Sequence, residues 1–141
     1  MKKIAIYDNL KRGFGNHKNF LSHSYFLGTG KVFGFVLIGN PPVAIRIPAK
    51  SLIDYYQKTG IIPFIEVELF EITSEDYTKI LFYYRHKHME ETVVQVVKDK
   101  DKKKEWFTMF EGTKYLFGGL SDEEILKRLN VIKKKHKYEG E

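Results

Sequence analysis

From Ile65 to Ile72 the chain reads Ile-Glu-Val-Glu-Leu-Phe-Glu-Ile, the two-residue alternation of a half-buried β-strand. Ile65, Val67 and Leu69 fall on one face, and Glu66, Glu68 and Phe70 on the other. Lys3 to Tyr7 is apolar and β-branched enough for a short buried strand, and it runs into a loop, Asp8 to His17, marked by Asp, Asn and glycine. Further strand-like runs are Tyr25–Leu27, Lys31–Ile38 and Val43–Ile47, the last two separated by Gly39-Asn40-Pro41-Pro42, where proline cannot donate to a ladder. A helix is predicted over 50–59, with Leu52, Ile53 and Tyr56 on its apolar face and Gly60 as terminator. Ser74 as N-cap opens a second helix, where Tyr77, Ile80, Leu81 and Tyr84 keep helical spacing.

Thr92–Val97 and Trp106–Phe110 read as paired strands across the charged turn Lys98–Lys104, and Lys114–Phe117 as one more short strand. A last helix is predicted over 121–136. Ser121 and Glu124 form its capping box, Ile125, Leu126, Leu129 and Ile132 its apolar stripe, and Lys133–Lys135 complement its C-terminal dipole. Strands outnumber helices without regular βαβ alternation. That pattern predicts an α+β protein with a small curled sheet or barrel, a single domain over 1–141 with no internal repeat and no linker.

Composition narrows the function classes. With 43% hydrophobic and 15% aromatic residues among 141, the chain is not a disordered or low-complexity one. It has no cysteine, which removes disulfide frameworks, thiolate zinc sites and cysteine nucleophiles together. The net charge of +6 is spread evenly: residues 1–97 and 98–141 each carry 12 basic and 9 acidic side chains, so no nucleic-acid arm stands out. The N-terminal apolar run stops at Asp8, and no stretch approaches the roughly 18 apolar residues of a membrane helix. A cytoplasmic protein without a membrane segment is expected. Abundant Lys, Ile, Tyr and Glu would also suit a hot habitat.

The order of several motifs carries a resemblance. A strand leads into Tyr7-Asp8-Asn9-Leu10, then Lys11-Arg12-Gly13 and Asn16-His17. Phe26-Leu27-Gly28 and Gly39-Asn40-Pro41-Pro42 follow, and Val67-Glu68-Leu69-Phe70-Glu71-Ile72 comes in the middle. Over about residues 4–97 this resembles the γ-glutamylcyclotransferase-like (AIG2-like) family. The resemblance implies a small, partly open mixed β-barrel with flanking helices, here over about 3–118, to which the helix at 121–136 is an addition. It also implies a reaction in which the α-amine of a γ-glutamyl compound attacks its own γ-carbonyl and releases 5-oxoproline. In that family a loop of the form Tyr-Gly-Thr/Ser-Leu holds the substrate and offers backbone amides to the developing oxyanion, and a Glu after the middle helix carries the proton. The substrate-binding positions implied here are Tyr7, Asp8, Asn9 and Leu10. No cofactor and no metal are implied.

Two departures stand out. Asp8-Asn9 replaces the Gly-Thr or Gly-Ser of the loop, adding a Cβ and a negative charge where a ligand would approach the backbone. Laid without gaps on Leu81 to Val96, the family's Leu-Asp-x-x-Glu-Gly pattern puts Arg85 at the proton-carrying Glu. An arginine stays protonated and cannot be that base. Arg85 and Glu91 look like a polarity-reversed ion pair, or else Arg85 faces the pocket as a fork for a carboxylate or phosphate.

The leading expectation is therefore a divergent, non-catalytic relative that keeps its pocket for a small anionic or γ-glutamyl ligand or a partner. An active enzyme with a relocated carboxylate is the alternative, with Glu68 and Glu90 (and Glu66) as the candidates. A third reading is a basic nucleic-acid module in which the lysines of Lys98–Lys104 meet phosphates and Trp106 and Phe107 stack on bases; Asp99, Asp101 and Glu105 interrupt that run. His86-Lys87-His88 sets two imidazoles at strand spacing, without a third ligand to complete a metal site. His17 and His23 read as loop or surface residues.

Overall fold

The computed structural model describes residues 1–113 together with 124, 125, 127 and 128. Within residues 1–113 the elements follow one another as β1 (Lys2–Ile6), α1 (His17–Phe20), β2 (Tyr25–Phe33), β3 (Phe35–Ile38), β4 (Val43–Arg46), α2 (Ala49–Thr59), β5 (Phe64–Ile72), α3 (Ser74–Arg85), β6 (Met89–Lys98) and β7 (Lys104–Gly112). Five of the strands close a mixed barrel in the order β1-β5-β2-β6-β7, and β3 and β4 form a separate antiparallel pair.

The barrel is held by long seams and closed by short ones. β6 and β7 pair along nearly their whole length, from Met89↔Gly112 to Val97↔Lys104, and β2 and β5 pair from Tyr25↔Glu71 to Phe33↔Phe64. By contrast β2 meets β6 only at Gly30↔Lys98 and Lys31↔Val97, and β1 meets β7, in parallel, only at Ile4↔Thr108. A bulge between Phe26 and Gly28 lets β2 continue from Tyr25 to Phe33, and Gly34, at φ 89°, breaks the expected run Lys31–Ile38 so that its second half is β3; Gly28 takes φ 110°, a conformation that a side chain would strain.

The alternation of β5 holds through Leu69. Phe70 then lies on the face of Glu66 and Glu68 yet is buried, covered by the rings of His17 and Phe26 at 5.6 and 5.5 Å. The main core gathers Ile4, Ile6, Leu10, Val67, Leu69, Ile72, Ile80, Val96, Phe107 and Met109. A second cluster lies between the β3–β4 pair and α2: Val36, Ile38, Ile45, Ile47 and Tyr55, joined by Ile125.

Several element-level expectations are corrected. Thr73, not Ser74, caps α3, accepting from the Asp76 amide at 3.2 Å. α2 buries Tyr55 and half-buries Leu52, whereas Ile53 and Tyr56 are exposed, so its apolar face is turned from the predicted one. His86-Lys87-His88 is not a strand: His86 caps α3 and His88 turns the chain at φ 59° before β6 begins at Met89. The short α1 inside the first loop had no helical signal of its own. The strand expected at Lys114–Phe117 lies outside the described residues. So does the helix at 121–136, apart from Glu124, Ile125, Lys127 and Arg128, which are helical. Among the described residues, no helix is long and apolar enough to cross a membrane.

Candidate functional site

The loop after β1 is pinned from both ends by buried polar groups. The Tyr7 hydroxyl donates to the Phe110 carbonyl at 2.6 Å and accepts the Ala44 amide at 3.0 Å, tying the end of β1 to β7 and β4. Its phenol is buried and held well above its ordinary pKa by that burial, so it stays protonated and acts as a structural tie. Leu10 is fully buried, and its carbonyl accepts a 2.8 Å bond from His17 Nδ1.

Asp8 is only 4% exposed. Its carboxylate accepts the Leu10 amide at 3.1 Å, in an Asx turn, and the Tyr84 hydroxyl, which lies 3.0 and 2.9 Å from its two oxygens. Burial pushes the Asp8 carboxyl upward, opposed by the bonds from Leu10 and Tyr84 and by the nearby charge of Lys87. Burial, with the charge of Asp8 added, also raises the Tyr84 phenol well above its ordinary value. The Asn9 side chain carries a buried Oδ1 that has no hydrogen-bond partner among the described residues.

The side chain that α3 sends to this loop is therefore Tyr84. Its ring stacks on Phe110, centroids 4.4 Å apart and planes 19° from parallel. One residue on is about 100° further round a helix, and Arg85 accordingly points outward, 58% exposed and 3.8 Å from Glu91. The other Glu91 oxygen accepts the Tyr77 hydroxyl. Exposed pairs of this kind contribute about 0–1 kcal/mol. Glu90 is exposed on β6 opposite Glu111, and Glu66 is exposed on β5.

Glu68 is different. It stands on β5 opposite Ile6 with its side chain only 17% exposed. It accepts the Arg12 amide at 2.9 Å and lies 3.6 Å from the Arg12 guanidinium, which stacks at 3.3 Å on Phe26. Glu68 also lines a cleft of about 210 Å³ with Lys11, Thr29, Glu66 and Asp99. Hydrogen bonds from Lys31 and Thr29 hold Asp99 below the usual carboxylate range.

Tyr7, Asp8, Leu10 and Glu68 thus converge around one loop, while Arg85 and Glu90 stand away on the surface. In the sequence Tyr84 stands out only as part of the helical stripe of α3. The signal that could have found it is physical: a tyrosine at a buried helical position needs a partner for its hydroxyl, and a buried Asp8 needs donors. No group of three or more His, Asp or Glu side chains able to hold a metal occurs among the described residues. In the charged hairpin Lys98 lies 3.6 Å from both Asp101 and Glu105, and Trp106 is largely exposed.

No family model matches the sequence, and no curated protein matches it either. Solved structures do match by fold. An AIG2-like protein from Mus musculus superposes with a TM-score of 0.65 at 21% identity, over 87% of this chain and 86% of its own. An uncharacterised protein from Pyrococcus horikoshii gives 0.58 at 18% identity over 98% of both chains. A structure described as γ-glutamyl cyclotransferase gives 0.58 at 8% identity, over 79% of this chain and 66% of its own. The fold is that of the γ-glutamylcyclotransferase-like, AIG2-like proteins. At these identities the likeness extends to the fold and not to activity.

Proposed function

We propose that this chain is a non-catalytic binding protein on the cyclotransferase-like fold, taking a small zwitterionic γ-glutamyl compound at the cleft beside the Tyr7–Leu10 loop. The observation that carries this reading is the Asp8 carboxylate, which accepts the loop's own Leu10 amide and the Tyr84 hydroxyl. An amide that would otherwise be free for a substrate oxyanion is already bonded, and α3 contributes a phenol at this point instead of a proton-carrying glutamate. Arg85, at the position the resemblance gives to that glutamate, pairs with Glu91 in solvent. The cleft supports a zwitterion: Lys11 offers a cation to a carboxylate, and Glu66, Glu68 and Asp99 offer anions to an α-ammonium.

A second reading rests on Glu68, a largely buried carboxylate that borders both loop and cleft and is a relocated proton carrier in an active enzyme. The test is 5-oxoproline release from γ-glutamyl amines, alongside calorimetric titration with the same compounds. Wild type is expected to bind without turnover, and Lys11→Ala to weaken binding. Turnover that Glu68→Gln lowers by about 10²–10⁴-fold would replace the binding reading with the enzymatic one. Neither binding nor turnover would overturn both.

A further inference from the structure

A second, larger hollow opens where the barrel wall parts. Pairing between β2 and β6 ends at Lys31↔Val97, and beyond it the two strands separate around a groove of about 490 Å³. That volume lies within the range of small-molecule sites. Val32, Phe35 and Val94, all buried, form its floor, and the exposed side chains of Phe33, Val93 and Trp106 form its rim. No acidic residue lines it, whereas Arg46 and Lys104 do. The Arg46 guanidinium is already engaged: its Nε lies 3.2 Å from Glu111, its Nη2 donates to Thr92, and it lies over the Phe35 ring at 4.8 Å. Lys104 has no ion-pair partner among the described residues.

We propose that this groove is a binding site for a small amphipathic anion, an apolar chain or ring system with one carboxylate or sulfonate, distinct from the cleft at the first loop. The apolar body lies along Val32, Val94 and Trp106, where water is displaced from exposed apolar surface. The anionic head meets Lys104, which unlike Arg46 has no carboxylate partner among the described residues. Charge complementarity selects the occupant: no acidic residue lines this groove, whereas Glu66, Glu68 and Asp99 line the loop cleft beside Lys11.

Trp106 is the only tryptophan in the chain, so its emission reports on this groove alone. Titration with anilinonaphthalene sulfonate is expected to quench Trp106 saturably, with one site, and laurate below its micellar concentration to displace the dye. Lys104→Glu, at an exposed position, should weaken laurate about 5- to 10-fold and leave dodecanol unchanged. Val93→Asp should abolish laurate binding while leaving the circular dichroism unaltered. The proposal is overturned by an absence of saturable quenching, by equal laurate affinity in Lys104→Glu, or by parallel loss of laurate and dodecanol in that variant. Displacement of the dye by single-stranded oligonucleotides but not by laurate would overturn it in favour of a nucleic-acid surface. A dimer that buries Trp106 and withstands laurate would overturn it in favour of self-association.

Discussion

The Asp8–Tyr84 contact turns a loop substitution into a measurable electrostatic effect. Burial raises the Asp8 pKa in the folded protein above its unfolded value, so the folded state holds that proton more tightly than the unfolded chain. Stability from this group is therefore greatest in acid, and it falls as pH climbs from about 4 through the folded-state pKa. Asp8→Asn keeps an acceptor for the Leu10 amide and the Tyr84 hydroxyl without the charge. Its stability relative to wild type is expected to rise between pH 4 and neutrality in urea melts; a pH-independent difference would show that Asp8 is not desolvated. Tyr84→Phe should cost about 1–3 kcal/mol at neutral pH, because a buried carboxylate loses a donor, and less in the Asp8→Asn background. The residues of the loop were legible from their order, Tyr7 to Leu10. The partner on α3 was not, since a one-residue step round the helix separates Tyr84 from Arg85 and only packing decides which faces the loop.

At the level of elements, the period-two and period-3.6 patterns located β5, α2 and α3, because those patterns record how often a face meets the core. They did not say which face of α2 is covered. Leu52, Ile53 and Tyr56 form a plausible stripe, but the β3–β4 pair lies against Tyr55, a fact about a distant segment that no local window contains. The same holds for seams between strands. A methyl added at Gly30 would stand 2.5 Å from Val96 Cγ1 and 2.9 Å from the Val97 carbonyl oxygen, at one of only two register pairs joining β2 to β6. Gly30→Ala is expected to cost about 1–3 kcal/mol in urea unfolding, since a backbone oxygen cannot step aside as a side chain can. Gly15→Ala, with nothing within 4 Å of the added methyl, should stay within about 0.5 kcal/mol of wild type. Equal effects at the two sites would contradict the close approach of β2 and β6.

For the whole molecule, the barrel core and the smaller cluster beneath α2 are separate bodies of buried side chains, and Ile125 belongs to the second. Ile125→Ala should cost about 2–5 kcal/mol if its side chain fills that cluster, read as a lowered urea midpoint; a change below about 0.5 kcal/mol would show that it does not. The amino-acid sequence alone determined the α+β class, the barrel resemblance and the position of the first loop. Each of these rests on local periodicity, on turn residues and on the order of motifs, all of which are written along one dimension. Tertiary structure alone decided that Asp8 is buried against Tyr84, that Glu68 rather than Glu90 borders the loop, and that a groove opens between β2 and β6. Those outcomes depend on which strands end early and how far a helix is rotated, and both are set by contacts between residues far apart in the chain.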